Sequence, residues 1–190
     1  MTSAVSVENA TAMVGLFGLV KSATVKNVVL GAGCSFTYNG EGAGYAAGLV
    51  AMVYRLKKSD TGYGTLIDNC LTLATVNGAR SAAGILGGIQ SNTNNDPAVV
   101  RNCTNAGNVT TKEYGAGIVA YIFNRPVQVL NCRNTGTITL DQDVAADNRG
   151  IAGIFARPNS NQTIIIRNCV NDGTLKGPGT LGGITAIVSN

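Results

Sequence analysis

Residues 101–110 have the sequence Arg101-Asn102-Cys103-Thr104-Asn105-Ala106-Gly107-Asn108-Val109-Thr110, and parts of it recur along the chain. An aliphatic residue stands two positions before an asparagine in five places, and in four of them a cysteine follows. The five copies are Val25-Lys26-Asn27-Val28, Ile67-Asp68-Asn69-Cys70, Val100-Arg101-Asn102-Cys103, Val129-Leu130-Asn131-Cys132 and Ile166-Arg167-Asn168-Cys169. Seven residues after each asparagine comes an apolar residue: Cys34, Val76, Val109, Ile138 and Leu175. This constant offset indicates a structural repeat.

A second recurring element is a glycine followed by two residues that are mostly apolar and then by a small residue. Its six copies are Gly15-Leu16-Phe17-Gly18, Gly48-Leu49-Val50-Ala51, Gly84-Ile85-Leu86-Gly87, Gly117-Ile118-Val119-Ala120, Gly153-Ile154-Phe155-Ala156 and Gly183-Ile184-Thr185-Ala186. Differences in length are confined to fixed joints, at 55–65 and 90–98 on one side and at 37–44 and 140–149 on the other. Insertions at fixed corners are typical of a solenoid, whose loops project without disturbing the stack.

We therefore predict an all-β fold, a single-stranded parallel β-helix (β-solenoid), as one domain over residues 1–190. It would have about five coils of three short strands, with 29–42 residues per coil. The apolar runs are short, β-branched and interrupted by Gly and Asn, which is typical of strands and not of amphipathic helices.

The composition agrees with tightly stacked strands. Hydrophobic residues make up 45% of the chain, but aromatic residues only 5% and charged residues only 13%. The net charge of +4 is spread along the chain, whereas nucleic-acid-binding proteins concentrate basic residues on one face, so we expect no nucleic-acid partner. The chain has no apolar run long enough for a membrane-spanning helix, so we expect no membrane insertion. Its first residues lack the features of a signal peptide.

Coils of a solenoid lie about 4.8 Å apart, so each repeated residue must stack on its own equivalents. Aliphatic, Asn and Cys side chains in a row cannot all point inward from a straight strand. We therefore predict a bend at each asparagine, with the amides hydrogen-bonded from coil to coil as a structural ladder rather than a ligand-binding row. The ladder consists of Asn27, Asn69, Asn102, Asn131 and Asn168.

A second ladder consists of Cys70, Cys103, Cys132 and Cys169. Small buried thiols pack well at such positions, and we expect all five cysteines to be reduced and buried. Disulfides between coils would meet the distance requirement, but the odd number of cysteines argues against a regular framework. The case for a metal site has even less support, because the chain has no His and no CxxC pair.

The glycine element supplies the interior of the predicted stack. The residues after each leading glycine form a Leu/Ile column: Leu16, Leu49, Ile85, Ile118, Ile154 and Ile184. The next residues alternate with this column, so we expect some of them to face outward as a lateral contact. They are Val50, Leu86, Val119 and Phe155.

The candidates for chemistry are few. General acid–base catalysis most often uses histidine, which the chain lacks, so we expect no enzyme and no cofactor. The acidic cluster Asp141, Asp143 and Asp147 is a weak calcium candidate, because no complete calcium-loop pattern follows it. The longest joint offers residues for binding through a loop: Arg55, Lys57, Lys58 and Tyr63.

The element Gly15-Leu16-Phe17-Gly18, together with the decapeptide 101–110, resembles the GLUG-type repeat of bacterial surface proteins. The resemblance extends over nearly the whole chain, although the fourth residue of the glycine element is Ala in four of six copies. It implies an extracellular or cell-surface spacer or adhesive module. It brings no catalytic residues, since the zinc-binding histidines of related surface peptidases have no counterpart here.

The function that follows is a non-catalytic structural or adhesive module, at a cell surface or in a filament formed by end-to-end stacking. Its partners would be further copies of the chain, through open solenoid ends or a flat face, and a glycan or host-surface ligand. The alternative is a carbohydrate-binding or carbohydrate-processing β-helix, since polysaccharide lyases also use this fold. A groove lined by Tyr45, Tyr54, Tyr63 or Tyr114 beside acidic side chains would favour the alternative.

Overall fold

The computed structural model describes residues 4–7, 12–40, 42–54, 64–90, 96–141, 149–159 and 162–188. All regular elements within these ranges are strands, which pair in parallel and stack coil upon coil. The predicted β-solenoid of about five turns is therefore confirmed. No helix capable of spanning a membrane occurs in the part of the chain described.

Each coil contains five short strand segments. The first coil has β1 (Ala4–Val7), β2 (Met13–Val14), β3 (Phe17–Val20), β4 (Thr24–Lys26) and β5 (Val29–Leu30). The second has β6 (Ser35–Tyr38), β7 (Tyr45–Ala47), β8 (Val50–Tyr54), β9 (Thr65–Asp68) and β10 (Leu71–Thr72). The third has β11 (Thr75–Gly78), β12 (Ser81–Ala83), β13 (Leu86–Gln90), β14 (Ala98–Arg101) and β15 (Thr104–Asn105).

The remaining coils repeat this order. The fourth has β16 (Val109–Thr111), β17 (Tyr114–Ala116), β18 (Val119–Phe123), β19 (Val127–Leu130) and β20 (Arg133–Asn134). The fifth has β21 (Ile138–Leu140), β22 (Gly150–Ala152), β23 (Phe155–Asn159), β24 (Ile164–Arg167) and β25 (Val170–Asn171). A sixth coil begins with β26 (Leu175–Lys176) and β27 (Thr180–Gly182).

Equivalent segments stack into five parallel sheets, which we name A to E in the order in which the chain visits them. Sheet A contains β1, β6, β11, β16, β21 and β26, and sheet B contains β2, β7, β12, β17, β22 and β27. Sheet C contains β3, β8, β13, β18 and β23; sheet D contains β4, β9, β14, β19 and β24; sheet E contains β5, β10, β15, β20 and β25. Like residues lie over like residues: in sheet D, Val100 pairs with Ile67 on one side and with Val129 on the other.

Two bends turn the three predicted strands into five segments. The bend between sheets D and E lies at the repeated asparagines, whose φ angles of 59°, 53°, 54°, 54° and 54° are all in the left-handed region. Asparagine tolerates this conformation better than most residues, so its recurrence there is explained. The bend between sheets B and C lies at the glycine element and was not predicted.

The residues that follow the Leu/Ile column are buried, so the expectation that some of them form an outward lateral contact was wrong. Val50, Leu86, Val119 and Phe155 are fully buried in the core. The bend after the leading glycine breaks strict alternation and turns two successive side chains inward. Ile118 and Val119, for example, belong to the same core cluster.

The connection between the first and second coils departs from the predicted spacing. Phe36, not Cys34, pairs with Val76 in sheet A. A turn over residues 31–33 is closed by a hydrogen bond of 3.1 Å from the backbone N of Cys34 to the carbonyl O of Gly31. Cys34 is still buried, but Phe36, the apolar residue of the strand that follows, lies nine residues after Asn27 instead of seven.

A ladder of buried asparagines crosses the core beneath sheet E, and the sequence analysis missed it. The Nδ2 atom of Asn105 donates to Oδ1 of Asn134 over 2.8 Å, and Nδ2 of Asn134 donates to Oδ1 of Asn171 over 2.8 Å. Each Nδ2 also donates to a carbonyl two residues on, that of Gly107 or Gly136 for the first two asparagines. Asn105 and Asn134 are completely buried, so these bonds replace the water that the amides lose on folding.

This buried ladder explains three of the leading glycines, Gly84, Gly117 and Gly153. A Cβ atom at Gly84 would lie 2.1 Å from Oδ1 of Asn105, and one at Gly117 would lie 2.3 Å from Oδ1 of Asn134. The buried amides of sheet E therefore occupy the space in which a side chain at the facing glycine would lie. Only glycine fits at these positions.

Replacement of Gly117 by alanine tests this packing. We expect Gly117→Ala to lower the free energy of unfolding by roughly 1–3 kcal/mol, the usual cost of an overpacked core. Urea denaturation followed by circular dichroism measures it. The matched control is Gly183→Ala, in the same element but with no atom within 4 Å of the added Cβ. An equal loss in both variants would contradict the explanation.

Candidate functional site

The predicted asparagine column lies on the outer surface, where most of its amides bond to each other. The Nδ2 atoms of Asn69, Asn131 and Asn168 donate to Oδ1 of the asparagine one coil earlier, over 2.9, 3.1 and 3.2 Å. Asn102 departs from this order and donates to Oδ1 of Asp68 over 2.8 Å. All five side chains are exposed, but their amides are engaged along the column, which supports the structural interpretation.

Asp68 also receives a hydrogen bond of 2.8 Å from Nη2 of Arg101. This bond, aided by the one from Asn102, holds the pKa of the Asp68 carboxyl below its ordinary value. The carboxylate therefore stays ionised near neutral pH and is a poor proton donor.

The cysteine column is continuous from the second coil to the fifth. The residues that follow Cys103, Cys132 and Cys169 each donate a backbone hydrogen bond of 2.9 Å to the carbonyl of the cysteine one coil earlier. All five cysteines are free; Cys34, Cys70, Cys103 and Cys132 are buried and Cys169 is half-buried. The pKa of Cys103 is raised to about 12, chiefly by the neighbouring thiol of Cys132 and also by burial. We therefore expect the inner thiols to serve as packing groups, since a buried thiol of raised pKa carries little thiolate.

Of the other predicted candidates, only Asp141 belongs to the described residues. Asp141 is exposed and lines an open pocket of about 420 Å³ beside Lys112 and Thr110. Asp143 and Asp147 lie outside the described residues, as do Arg55, Lys57, Lys58 and Tyr63. Within the described ranges no three potential metal ligands are grouped.

The most developed site is a concave corner between sheets B and C, which we call the tyrosine–arginine groove. It is formed by Tyr45, Tyr114, Tyr121, Arg80 and Arg157. The outward side chains of the two sheets meet here in a small cluster separate from the core. The groove therefore results from the bend at the leading glycines.

The three rings contact one another in series, with the ring of Tyr121 between those of Tyr114 and Tyr45. The rings of Tyr114 and Tyr121 are stacked, with centroids 5.4 Å apart and planes at 21°. The ring of Tyr45 lies two coils earlier, 6.5 Å from that of Tyr121. Gly88 makes this contact possible, because a Cβ at Gly88 would lie 2.4 Å from Cε1 of Tyr45. The missing side chain lets the Tyr45 ring lie across the third coil.

Two guanidinium groups lie against these rings. The Cζ atom of Arg80 is 5.8 Å from the centroid of Tyr121, and that of Arg157 is 4.8 Å from the centroid of Tyr114. Glu113 holds Arg80 through an ion pair of 3.4 Å. Burial raises the pKa of Tyr45, although Arg80 opposes the shift, so the hydroxyl stays protonated and neutral.

Beside the rings lies an open pocket of about 300 Å³. Its lining residues are Met13, Ala43, Tyr45, Arg80, Gln90, Tyr121 and Phe123. Phe123 and Met13 are 46% and 40% exposed, whereas Tyr45 and Tyr121 are at least nine-tenths buried. The pocket thus combines exposed apolar walls with the polar ends of Arg80 and Gln90.

Sequence reasoning named Tyr45 and Tyr114 for such a groove, and the structure brings them together. It places Tyr54 at the edge of the same cluster, while Tyr63 is not described. Tyr121, Arg157 and Arg80 were missed. The first two stand four residues after a leading glycine, so their shared column is visible in the sequence. The bend that turns this column toward Tyr114 is not visible in the sequence.

Comparison of the chain with protein-family models, with curated proteins and with solved structures finds no match. The resemblance to GLUG-type repeats therefore stays a prediction.

One cysteine should react far faster than the others. Cys169 is half-buried, and the neighbouring thiol of Cys132 lowers the pKa of its thiol to about 7. We expect a disulfide reagent to modify one thiol rapidly in the native chain, at a rate that rises as the pH increases through about 7, since the thiolate is the nucleophile. Stopped-flow absorbance measures the rate, and Cys169→Ser should remove the fast phase. The urea-denatured chain, in which all five thiols react, is the control; a fast phase that survives in Cys169→Ser would contradict the assignment.

Proposed function

We propose that the chain is a non-catalytic solenoid module of the structural or adhesive kind and that its tyrosine–arginine groove binds a carbohydrate. The observation that carries the proposal is the pocket of about 300 Å³ in which exposed apolar walls adjoin two side chains rich in hydrogen-bond donors. Pockets of roughly 300 Å³ and more accommodate small ligands. Sugars offer both an apolar C–H face and polar hydroxyls, so they match both parts of this lining.

Phe123 supplies the contact for the apolar face of the sugar. Its ring is 46% exposed at the end of β18, next to the buried ring of Tyr121. Burying an exposed aromatic surface against a ligand gives a favourable contribution of roughly 25 cal/mol per Å² of apolar area. The tyrosines beneath are already packed against each other, so they form a rigid floor.

The polar partners are Arg80 and Gln90. The ion pair with Glu113 and the neighbouring ring of Tyr121 hold the Arg80 guanidinium, so little side-chain freedom remains to be lost on binding. Glu113 thereby orients the Arg80 guanidinium, which is a hydrogen-bond donor. Glycoside hydrolysis commonly uses two carboxyl groups that act together, so an arrangement centred on donors supports binding.

The proposed setting is a cell surface, in accord with the resemblance to bacterial surface repeats. A stack of parallel coils is a stiff support, because every coil is hydrogen-bonded to its neighbours along five sheets. A groove on such a support would present a ligand-binding site at a fixed distance from whatever the module is attached to.

End-to-end self-association is a second proposal, supported by the fifth coil. Its inward residues Ile164 and Ile166 are only partly buried, whereas their equivalents Val127 and Val129 are completely buried by the coil above them. A coil of another copy placed over this edge would bury the isoleucines and pair the backbone groups of β24.

A glycan array probed with the purified chain tests carbohydrate binding. We expect binding to at least one class of glycan, and a loss of about tenfold or more in Arg80→Gln and Phe123→Ala, each of which removes one kind of contact. Calorimetry with the best glycan gives the affinities. The matched control is Arg133→Gln, which removes an arginine paired with Asp172 in sheet E, remote from the groove. Equal binding by all variants, or no binding to any glycan, would overturn the proposal.

Self-association predicts a sedimentation coefficient that rises with protein concentration. Ile166→Lys should suppress the rise, because it places a charge on the apolar edge. Thr139→Lys, on the outer face of sheet A, should leave it unchanged. A chain that sediments as a monomer at every concentration would contradict end-to-end stacking.

A further inference from the structure

Cys132 and Cys169 occupy equivalent positions in the fourth and fifth coils. Leu130 pairs with Arg167 two residues before the cysteines, and the residues that directly follow the cysteines also pair, so the two cysteines lie in register. Neighbouring coils are about 4.8 Å apart, which falls within the roughly 4.4–6.8 Å between the Cα atoms of a disulfide. The odd number of cysteines argues against a regular framework, but it allows a single pair.

The two thiols also have the same orientation. The Sγ atom of Cys132 donates to the carbonyl O of Leu130 over 3.3 Å, and that of Cys169 donates to the carbonyl O of Arg167 over 3.4 Å. The two Sγ atoms lie 3.7 and 3.5 Å from equivalent carbonyls one coil earlier. Equivalent contacts on both sides mean that one sulfur lies beside the other in the column.

Access to solvent distinguishes Cys169 from the inner part of the column. Cys103 and Cys132 are 0% and 1% exposed, whereas Cys169 is half-buried. In the described part of the chain sheets D and E end with β24 and β25, so no further strand covers Cys169 there. A small reagent can therefore reach the sulfur of Cys169, while that of Cys132 is out of its reach. An accessible thiol beside a second thiol is the arrangement of cysteine pairs that form a disulfide on oxidation.

The ionisation of Cys169 favours the same order of events. The neighbouring thiol of Cys132 lowers the pKa of Cys169 to about 7, so much of its sulfur is thiolate near neutral pH. The thiolate is the form that attacks a disulfide. Oxidation therefore starts at Cys169, and the sulfur of Cys132 lies beside the product of that first step.

We propose that Cys169 and Cys132 are a modification site, at which a low-molecular-weight disulfide introduces a bond between the fourth and fifth coils. In the first step the Cys169 thiolate attacks one sulfur of the reagent, forms a mixed disulfide and releases the other half as a thiolate. In the second step Sγ of Cys132 attacks Sγ of Cys169, the bond to the reagent breaks, and the Cys132 proton passes to the departing thiolate. The first thiolate takes up the proton that Cys169 lost, so two protein thiols are oxidised and one reagent disulfide is reduced to two thiols.

The bond would fasten the edge of the stack, which makes the site independent of the groove and of carbohydrate binding. Ile164 and Ile166 in β24 are only partly buried, so this strand has less packing to hold it than the inner strands of sheet D. Strands of this kind open locally more often than core strands. A covalent link at the bend would keep β24 and β25 beside β19 and β20 when their hydrogen bonds open.

Oxidised glutathione, added to the intact chain near neutral pH and at low protein concentration, tests the proposal. We expect the mass of the chain to pass through a glutathione adduct and then to fall two hydrogen atoms below that of the reduced chain. After alkylation of the remaining thiols, a tryptic digest should contain one cross-linked pair of peptides, those of Cys132 and Cys169. Amide hydrogen exchange over residues 164–171 should slow by about tenfold or more in the oxidised chain, while exchange over residues 65–72 should not change.

Three variants assign the sulfur atoms. Cys132→Ser should stop at the glutathione adduct, because the second thiol is missing, and Cys169→Ser should not react in its native state. Cys34→Ser is the matched control, since it removes a buried cysteine outside the column and should give the same cross-link as the unmodified chain. Unfolding curves verify that each variant folds. In the unmodified chain, an adduct that persists, a dimer linked through Cys169, a cross-link to any other cysteine or the absence of a reaction would each overturn the proposal.

Discussion

Stacking of each side chain on its own equivalent is the constraint on which this structure depends. Backbone pairing fixes neighbouring coils about 4.8 Å apart, so a residue type that cannot pack against itself has no place in a column. Branched aliphatic residues meet this condition by contact, and asparagines meet it by hydrogen bonds between amides. The completely buried amides of Asn105 and Asn134 combine both, and they require glycine at the facing bend.

The same constraint determines how much of the fold could be predicted. Columns are visible in a sequence whenever their spacing is constant, so the coils, the bends at the asparagines and the cysteine column followed from residue offsets. The turn over 31–33 changes the offset, and there the predicted register failed. The bend at the glycine element could not be foreseen, since the amide that its glycine accommodates comes from another part of the coil. Asn105 and its equivalents looked like ordinary loop residues beside the exposed asparagines.

The groove lies where equivalent positions of neighbouring coils carry different residue types, so that side chains do not stack on their own kind. In sheet C the column of Tyr121 continues as Gly88 on one side and as Arg157 on the other, three residues with nothing in common as side chains. Tyr45 fills the space that Gly88 leaves, and Arg157 covers the last ring. Such irregular columns are the least predictable from sequence and the most informative about function, because a regular stack would have served stability better.

The two asparagine ladders have opposite polarity. In the buried ladder each Nδ2 points toward the following coil, from Asn105 to Asn134 and from Asn134 to Asn171. In the exposed ladder it points toward the preceding one, as from Asn168 to Asn131. Each row is a chain of aligned amide dipoles that polarise one another. Because the rows run in opposite directions their moments oppose each other, so the two ladders together add less axial dipole per coil than two rows of the same polarity would.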